Sequence, residues 1–392
     1  MAYYRSVGEV PRKRHAQLRG ADGQLRTEEL VGEDGFFAAS SLLYHRHLPN
    51  VLVSAEVVDV PALTAPSAPN LPLLPRKFDT HLLSSGGETV TGRHTVVAND
   101  DVRVSWVQPD RPGPLFRNAV GDELVFVEAG AATLESVYGR LDASQGDYVR
   151  VPMGCIHRWV PATGEALRLL IIEATGHVGL PARYLSPRGQ LLEHAPYSER
   201  DFRGPTELLE VDDGEVDVLV RHHDGVTRHT YAHHPFDVVG WDGCVYPYAF
   251  SIHDFEPIVK RFHAPPPVHE TFTAGRFVVC SFCPRPADFD PTAVPAPYSH
   301  TAVDCDEVMF IVSGDYTARA DAGVGPGSMT FHPAGFTHGP QPGGVEAALG
   351  KTWNDEYAVM IDTFAPLGLG AAAPHCEDAD YHRSWQTRTG AR

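Results

Sequence analysis

No stretch of the 392-residue chain approaches the roughly 18 consecutive apolar residues that a membrane-spanning helix needs. The amino terminus, MAYYRSVGEVPRKRHAQLRG, has no continuous apolar core of the kind a secretory signal requires. A cytoplasmic location and no membrane partner are therefore expected. Basic residues are scarce: 32 Lys and Arg stand against 50 Asp and Glu, for a formal net charge of −18. That balance argues against nucleic acid and anionic lipid as partners, because phosphate groups are bound by basic surfaces. Cysteine is sparse as well, with 6 scattered thiols that fit a reducing compartment better than a disulfide scaffold. Cys280-Ser-Phe-Cys283 is a lone CxxC. A zinc site would want a second pair or histidines at finger spacing, so the apolar run Arg276–Cys283 reads instead as a buried strand carrying two thiols.

Long helical periodicity is also missing. What the chain has is short β-prone runs, at Leu124–Val127, Arg168–Glu173, Val308–Val312, Met329–Phe331 and Ala358–Phe364, punctuated by 33 prolines and 36 glycines spread along its length. That texture predicts an all-β sandwich or barrel, and the length predicts two domains. The stretch Pro61–Pro75 reads as an extended surface segment, and Pro265-Pro266-Pro267 as another rigid, extended piece. Of the 21 histidines, the adjacent pairs His222/His223 and His233/His234 read as surface or loop residues, since neighbours on a strand point to opposite faces.

An internal repeat carries the most information. Glu123-LVFVEA-Gly130 and Glu307-VMFIVS-Gly314 share one spacing. Each is followed by a second block, Gly146-DYVRV-Pro152-Met-Gly154-Cys-Ile-His157 and Gly327-SMTFH-Pro333-Ala-Gly335-Phe-Thr-His338. Both obey the same rule: Gly, five residues, Pro, one residue, Gly, two residues, His. A strand that ends at a glycine turn, and a second strand that delivers a histidine through a Pro-x-Gly bend, can aim a carboxylate and an imidazole into one barrel.

This twofold pattern resembles the cupin barrels. The expected fold is all-β: two cupin-type (jelly-roll) barrels with an extended N-terminal segment, divided into residues 1–235, a metal-free barrel and its leading segment, and residues 236–392, a metal-binding barrel. Cupin metal sites take a further histidine six or seven residues before the glutamate. In the second repeat that is His300; in the first it is Phe116, followed by Arg117 and Asn118. The second barrel thus offers His300, Glu307 and His338, a set suited to divalent iron with coordination positions left open. Manganese cupins usually add a histidine where this chain has Ala302, and zinc would account less well for the open positions. Glu307 is preferred to Asp304 and Asp306 as ligand because the glycine spacing selects it.

The stretches DFEPIVKRFHAPPPVHETF (Asp254–Phe272) and PAPYSHTAVDCDEVMFIVSGDY (Pro295–Tyr316) resemble homogentisate 1,2-dioxygenases. The opening RSVGEVPRKRH and the segment SSLLYHRHLP resemble the bacterial branch of that family. The resemblance implies Fe(2+) on His300, Glu307 and His338, with His269 as the acid–base residue. It places Tyr316, His332, His338 and Tyr298 at the substrate. One departure is visible: His300 and Glu307 are separated by one residue more than in the animal enzymes, which enlarges the loop. The implied partners are a small aromatic substrate, homogentisate, and O2, with 4-maleylacetoacetate as product, and a homo-oligomer, trimer or hexamer. Another hydroquinone or hydroxylated aryl acid is the alternative substrate, and a non-catalytic two-barrel binding protein the alternative class.

Overall fold

Residues 3–211, 214–314 and 322–386 are described by the structure, a computed structural model. Tyr316 lies outside the described residues. Among these residues no helix is long and apolar enough to cross a membrane.

Strand Gly139–Ser144 alternates strictly between buried and exposed positions, as a sheet face half covered by protein requires. Glu123–Ala129 and Asp147–Val151 are buried at every position, so protein covers both of their faces. Asp306–Gly314 shows the consequence of the two-residue period. Val308, Phe310 and Val312 join the large core that runs through both halves of the molecule, while Met309 and Ile311 pack with Cys280, Ala358 and Met360 in a separate cluster inside the second barrel. Glu307 shares the parity of Met309 and therefore faces that interior.

The first barrel joins a seven-stranded sheet to an eight-stranded one, and the second is built on another seven-stranded sheet. In the first, Glu123–Ala129 lies between Asp147–Val151 and Arg168–Ala174. In the second, Asp306–Gly314 lies between Ser328–His332 and Glu356–Thr363. The sequence repeat is thus a repeat of structure, and the fold is that of two cupin-type β-barrels. The barrels exchange edge strands: Arg76–Asp79 pairs with Ser328–His332 in the second, and Gly368–Leu369 pairs with His94–Ala98 in the first. The N-terminal segment adds strands Arg5–Gly8, Thr27–Gly32 and Ser40–His45 to Val238–Gly243 in a four-stranded sheet of its own.

The glycines of the repeat are needed for their backbone. Gly146 and Gly327, which open the second block of each motif, have φ of +90° and +81°. The glycines of the two Pro-x-Gly bends, Gly154 and Gly335, have φ of +81° and +75°, a region side chains disfavour.

Two local expectations are corrected. Pro61–Thr64 is a helical turn with Leu63 buried, not part of an extended strand. Pro266–His269 is a 3-10 turn. Proline's fixed φ and missing N–H are both acceptable in a first helical turn, so a proline run can start one as readily as it can stay extended. His233 and His234 lie in a loop, as expected; His234 is buried there, and His233 stacks on His47 with ring centroids 4.2 Å apart. The thiols of Cys280 and Cys283 are free and buried.

Candidate metal centre

His300 and His338 are joined as a single antiparallel bridge. The His300 N–H donates to the His338 carbonyl at 2.8 Å, and the His338 N–H donates back at 2.9 Å. Directly opposed residues on adjacent strands project to the same side, and the two imidazoles stand with centroids 4.3 Å apart. Glu307 enters from the neighbouring strand. Its Oε1 lies 3.3 Å from His338 Nε2, and its Oε2 lies 3.6 Å from His300 Nε2. One ligand atom from each of the three residues lies within 4.8 Å of the others.

The donor set fits a divalent metal in a further respect. His300 Nδ1 donates to the Tyr298 carbonyl at 3.0 Å, and His338 Nδ1 donates to the Phe336 carbonyl at 3.1 Å. A carbonyl can only accept, so each Nδ1 carries the proton and each Nε2 presents a lone pair toward Glu307. His332 backs this arrangement. Its ring stacks on His338 at 4.0 Å and 8°, its Nδ1 lies 3.3 Å from Glu307 Oε1, and its Nε2 lies 3.1 Å from the Tyr381 hydroxyl. When these imidazoles carry a second proton instead of facing a metal, burial still opposes charge on Glu307, but hydrogen bonds from His300, His332 and His338 outweigh it and hold the carboxyl well below its usual range. Asp362, opposite Glu307 on the other neighbouring strand, is pushed up to about 8 by burial and by the Glu307 charge.

Asp306, set aside as ligand on spacing, has a different task. It is buried and accepts from the backbone N–H groups of Ala334 and Leu367, both at 2.7 Å. Asp122 does the same in the first barrel, accepting from Met153 and Val178 at 2.7 Å each. In both repeats the aspartate before the glutamate pins the Pro-x-Gly bend.

The first barrel repeats the geometry without the third ligand. Phe116 stands opposite His157, as His300 stands opposite His338, and His157 Nδ1 donates to the Cys155 carbonyl at 3.1 Å. The space beside Glu123 holds a guanidinium. Arg93 NH1 and NH2 lie 2.8 and 3.2 Å from the two oxygens of Glu123, and NH1 lies 3.0 Å from Glu173. Arg93 also lies over the Phe116 ring at 5.2 Å. A permanent organic cation thus balances the carboxylates there. Glu173 is opposite Glu123 in register, as Asp362 is opposite Glu307.

A cavity of about 200 Å³ opens onto His300 and Glu307. Its walls include Phe282, Met309, Met360, Tyr298, His263 and His269. His269 is buried, its ring packs on Phe282 at 4.4 Å, and its Nδ1 has no hydrogen-bond partner among the described residues. Burial, then the charges of Arg285 and His263, hold its pKa down at about 3. Arg285, also on the wall, is engaged by Glu356 at 2.8 Å and by the Cys283 carbonyl at 3.0 Å.

The structure brings His300, Glu307 and His338 together, and it places His269 and Tyr298 on the cavity wall. His332 stands behind the ligands rather than on that wall. Sequence reasoning gave no role to Arg93, Arg285, Glu356, Asp362 or Tyr381. Arg93 and Tyr381 reach their partners across 30 and 49 residues of chain, and no spacing rule signals either contact.

Two cupin-type barrels, one with a complete His/Glu/His set and one with an arginine in its place, define a two-barrel cupin with a single candidate metal centre among the described residues. Models of the N-terminal and C-terminal parts of homogentisate 1,2-dioxygenase match residues 89–252 and 251–390. The chain belongs to the homogentisate 1,2-dioxygenase family. It is 34% identical over 391 residues to a protein of Saccharolobus solfataricus provisionally named as a dioxygenase, covering 99% of this chain and 100% of that one. It is 29% and 28% identical to the homogentisate 1,2-dioxygenases of Bradyrhizobium diazoefficiens and Caenorhabditis elegans, over 69% of this chain in each case. Those matches span 62% and 63% of the two enzymes, under two thirds of their length.

Proposed function

We propose that this protein is an iron-dependent dioxygenase that opens the ring of homogentisate, giving 4-maleylacetoacetate with both atoms of O2 retained. The observation that carries this reading is the His300/Glu307/His338 set with its Nε2 lone pairs turned toward Glu307, beside a cavity of aromatic size and apolar lining. Bound there, ferrous iron would acidify a phenol oxygen and allow ring and O2 to meet at one centre. The chain's own residues supply the rest. Phe282, Met309 and Met360 exclude water and pack against a planar ring. His269 supplies an unpartnered acceptor, neutral at physiological pH, for a phenol O–H. With its pKa near 3 it does not hold a proton in the empty cavity. It gains one when an anionic ring stands beside it and stabilises the imidazolium.

A second substrate, a hydroquinone without the acetate arm, is favoured by one observation. The arginine on the cavity wall, Arg285, already has Glu356 as counter-ion, so among the described residues it is not an unengaged cation for a carboxylate. Oxygen uptake by anaerobically prepared, Fe(II)-loaded protein separates the two. Turnover of homogentisate at least ten-fold faster than of unsubstituted hydroquinone supports the first reading, and the reverse order replaces it with the second.

A further inference from the structure

The strand that follows His269 is fastened to the metal-free barrel at several points. Val178–Gly179 pairs with Ala274 and Thr273. The Tyr197 hydroxyl donates to the Thr271 carbonyl at 2.8 Å. Thr271 Oγ1 donates to the His269 carbonyl at 3.1 Å and shares a 2.6 Å contact with Ser281 Oγ, which in turn meets the hydroxyl of Tyr148, on a central strand of the first barrel, at 2.9 Å. These contacts fix the backbone on the carboxyl side of His269. The turn on the other side has one conspicuous tether. Arg183, in the 3-10 turn Ala182–Tyr184 after the first barrel, donates to the Pro267 carbonyl and pairs with the Glu270 carboxylate. The guanidinium therefore spans the turn that carries His269, gripping two residues before it and one after.

We infer that Arg183 is a positioning residue for His269, and that the barrel lacking the third ligand serves as the platform from which that histidine is aimed into the cavity. The inference rests on the functional reading above. Physically, His269 cannot be oriented by a bond to its own Nδ1, which has no partner. Among the described residues its direction is set by the backbone turn and by packing against neighbours such as Phe282. Both contacts are made by one guanidinium nitrogen, NH2, whose two N–H groups reach a carbonyl and a carboxylate together and restrain that turn more than a single contact would. A displacement of the order of 1 Å in a reacting group costs up to about a hundred-fold in rate.

A double-mutant cycle on the full-length Fe(II)-loaded protein tests this, with Arg183→Met, His269→Gln and the pair together, using whichever hydroquinone the protein turns over fastest. Arg183→Met is expected to lower kcat about ten-fold or more while KM and metal content change less than two-fold. Arg183→Lys, which keeps one charged nitrogen with several N–H groups, is expected to recover more of the activity than Arg183→Met. In the His269→Gln background, Arg183→Met is expected to cost nothing further, because the group it aims is gone. A full additional loss there overturns the inference, since it means that Arg183 acts through general stability or another contact. A melting temperature lowered in proportion to the lost kcat overturns it equally. Normal turnover by His269→Gln overturns the reading of His269 itself, and is told apart by the single variant alone.

Discussion

His300 and His338 are bound to each other through both backbone amides, although 38 residues separate them and neither lies in a longer ladder. One bridge brings two imidazoles to the same side of a barrel mouth, and the neighbouring strand adds Glu307.

Removing either imidazole is expected to empty the site without unfolding the barrel, because the bridge is made by backbone. His300→Ala and His338→Ala should bind Fe(II) at least about a hundred-fold more weakly, beyond the range for losing only an outer hydrogen bond. Metal analysis of the reconstituted variants, with thermal melts beside it, checks this. Wild-type metal content in either variant would remove that residue from the ligand set.

In the first barrel the cation is Arg93, and two buried carboxylates depend on it. Arg93→Met leaves Glu123 without its guanidinium partner and Glu173 with Arg221 alone. A loss of about 3–5 kcal/mol is expected, the range for breaking a buried ion pair from one side. Urea denaturation measures it. The double variant Arg93→Met/Glu123→Gln should be less damaged than the single one, and an undamaged single variant would mean that the guanidinium does not balance the pair.

On the proposed reading, His269 should affect rate and not metal binding. His269→Gln should bind Fe(II) as the unsubstituted protein does and lose about 10²–10⁴ in kcat. Because burial depresses the imidazole pKa to about 3, it is already neutral throughout pH 5–8 in the free protein. The substitution should therefore lower the kcat/KM profile at every pH without moving its acid limb. A limb that disappears in the variant would show that His269 titrates in that range.

His45 makes stability depend on pH in a definite direction. It sits between Asp237, 2.7 Å from Nδ1, and Glu29, 3.0 Å from Nε2. Burial disfavours its charge, but the two carboxylates outweigh burial and lift its pKa from 6.5 to about 9. The folded value is the higher one, so the stabilisation is complete below pH 6.5 and fades as pH rises through 9. The shift corresponds to at most about 3 kcal/mol. Denaturation midpoints for wild type should fall between pH 6 and pH 9, and those of His45→Gln should fall less. Parallel curves would show that the pair contributes nothing.

The parts of the fold that are local in sequence were legible. The short β-prone runs, the absence of helical periodicity and the Gly-x5-Pro-x-Gly-x2-His rule led to two barrels and to Glu307 and His338, and the resemblance to cupins added His300; turn glycines follow from backbone geometry alone. The proline runs misled, since a proline's fixed φ suits both an extended segment and the first turn of a helix. The paired strands that carry Asp362 and Glu173 beside the two glutamates could not be read, because register between strands far apart in sequence is decided by packing and not by spacing.

The contrast between the two barrels divides the same way. Sequence alone determined that one repeat has His300 where the other has Phe116, and hence which barrel offers three candidate ligands. Only the tertiary structure decided what stands in the other: Arg93, thirty residues from Glu123, fills the place of a cation there. Two carboxylates buried side by side need a positive partner in a medium of low dielectric, and any chain segment that folds into reach can provide it.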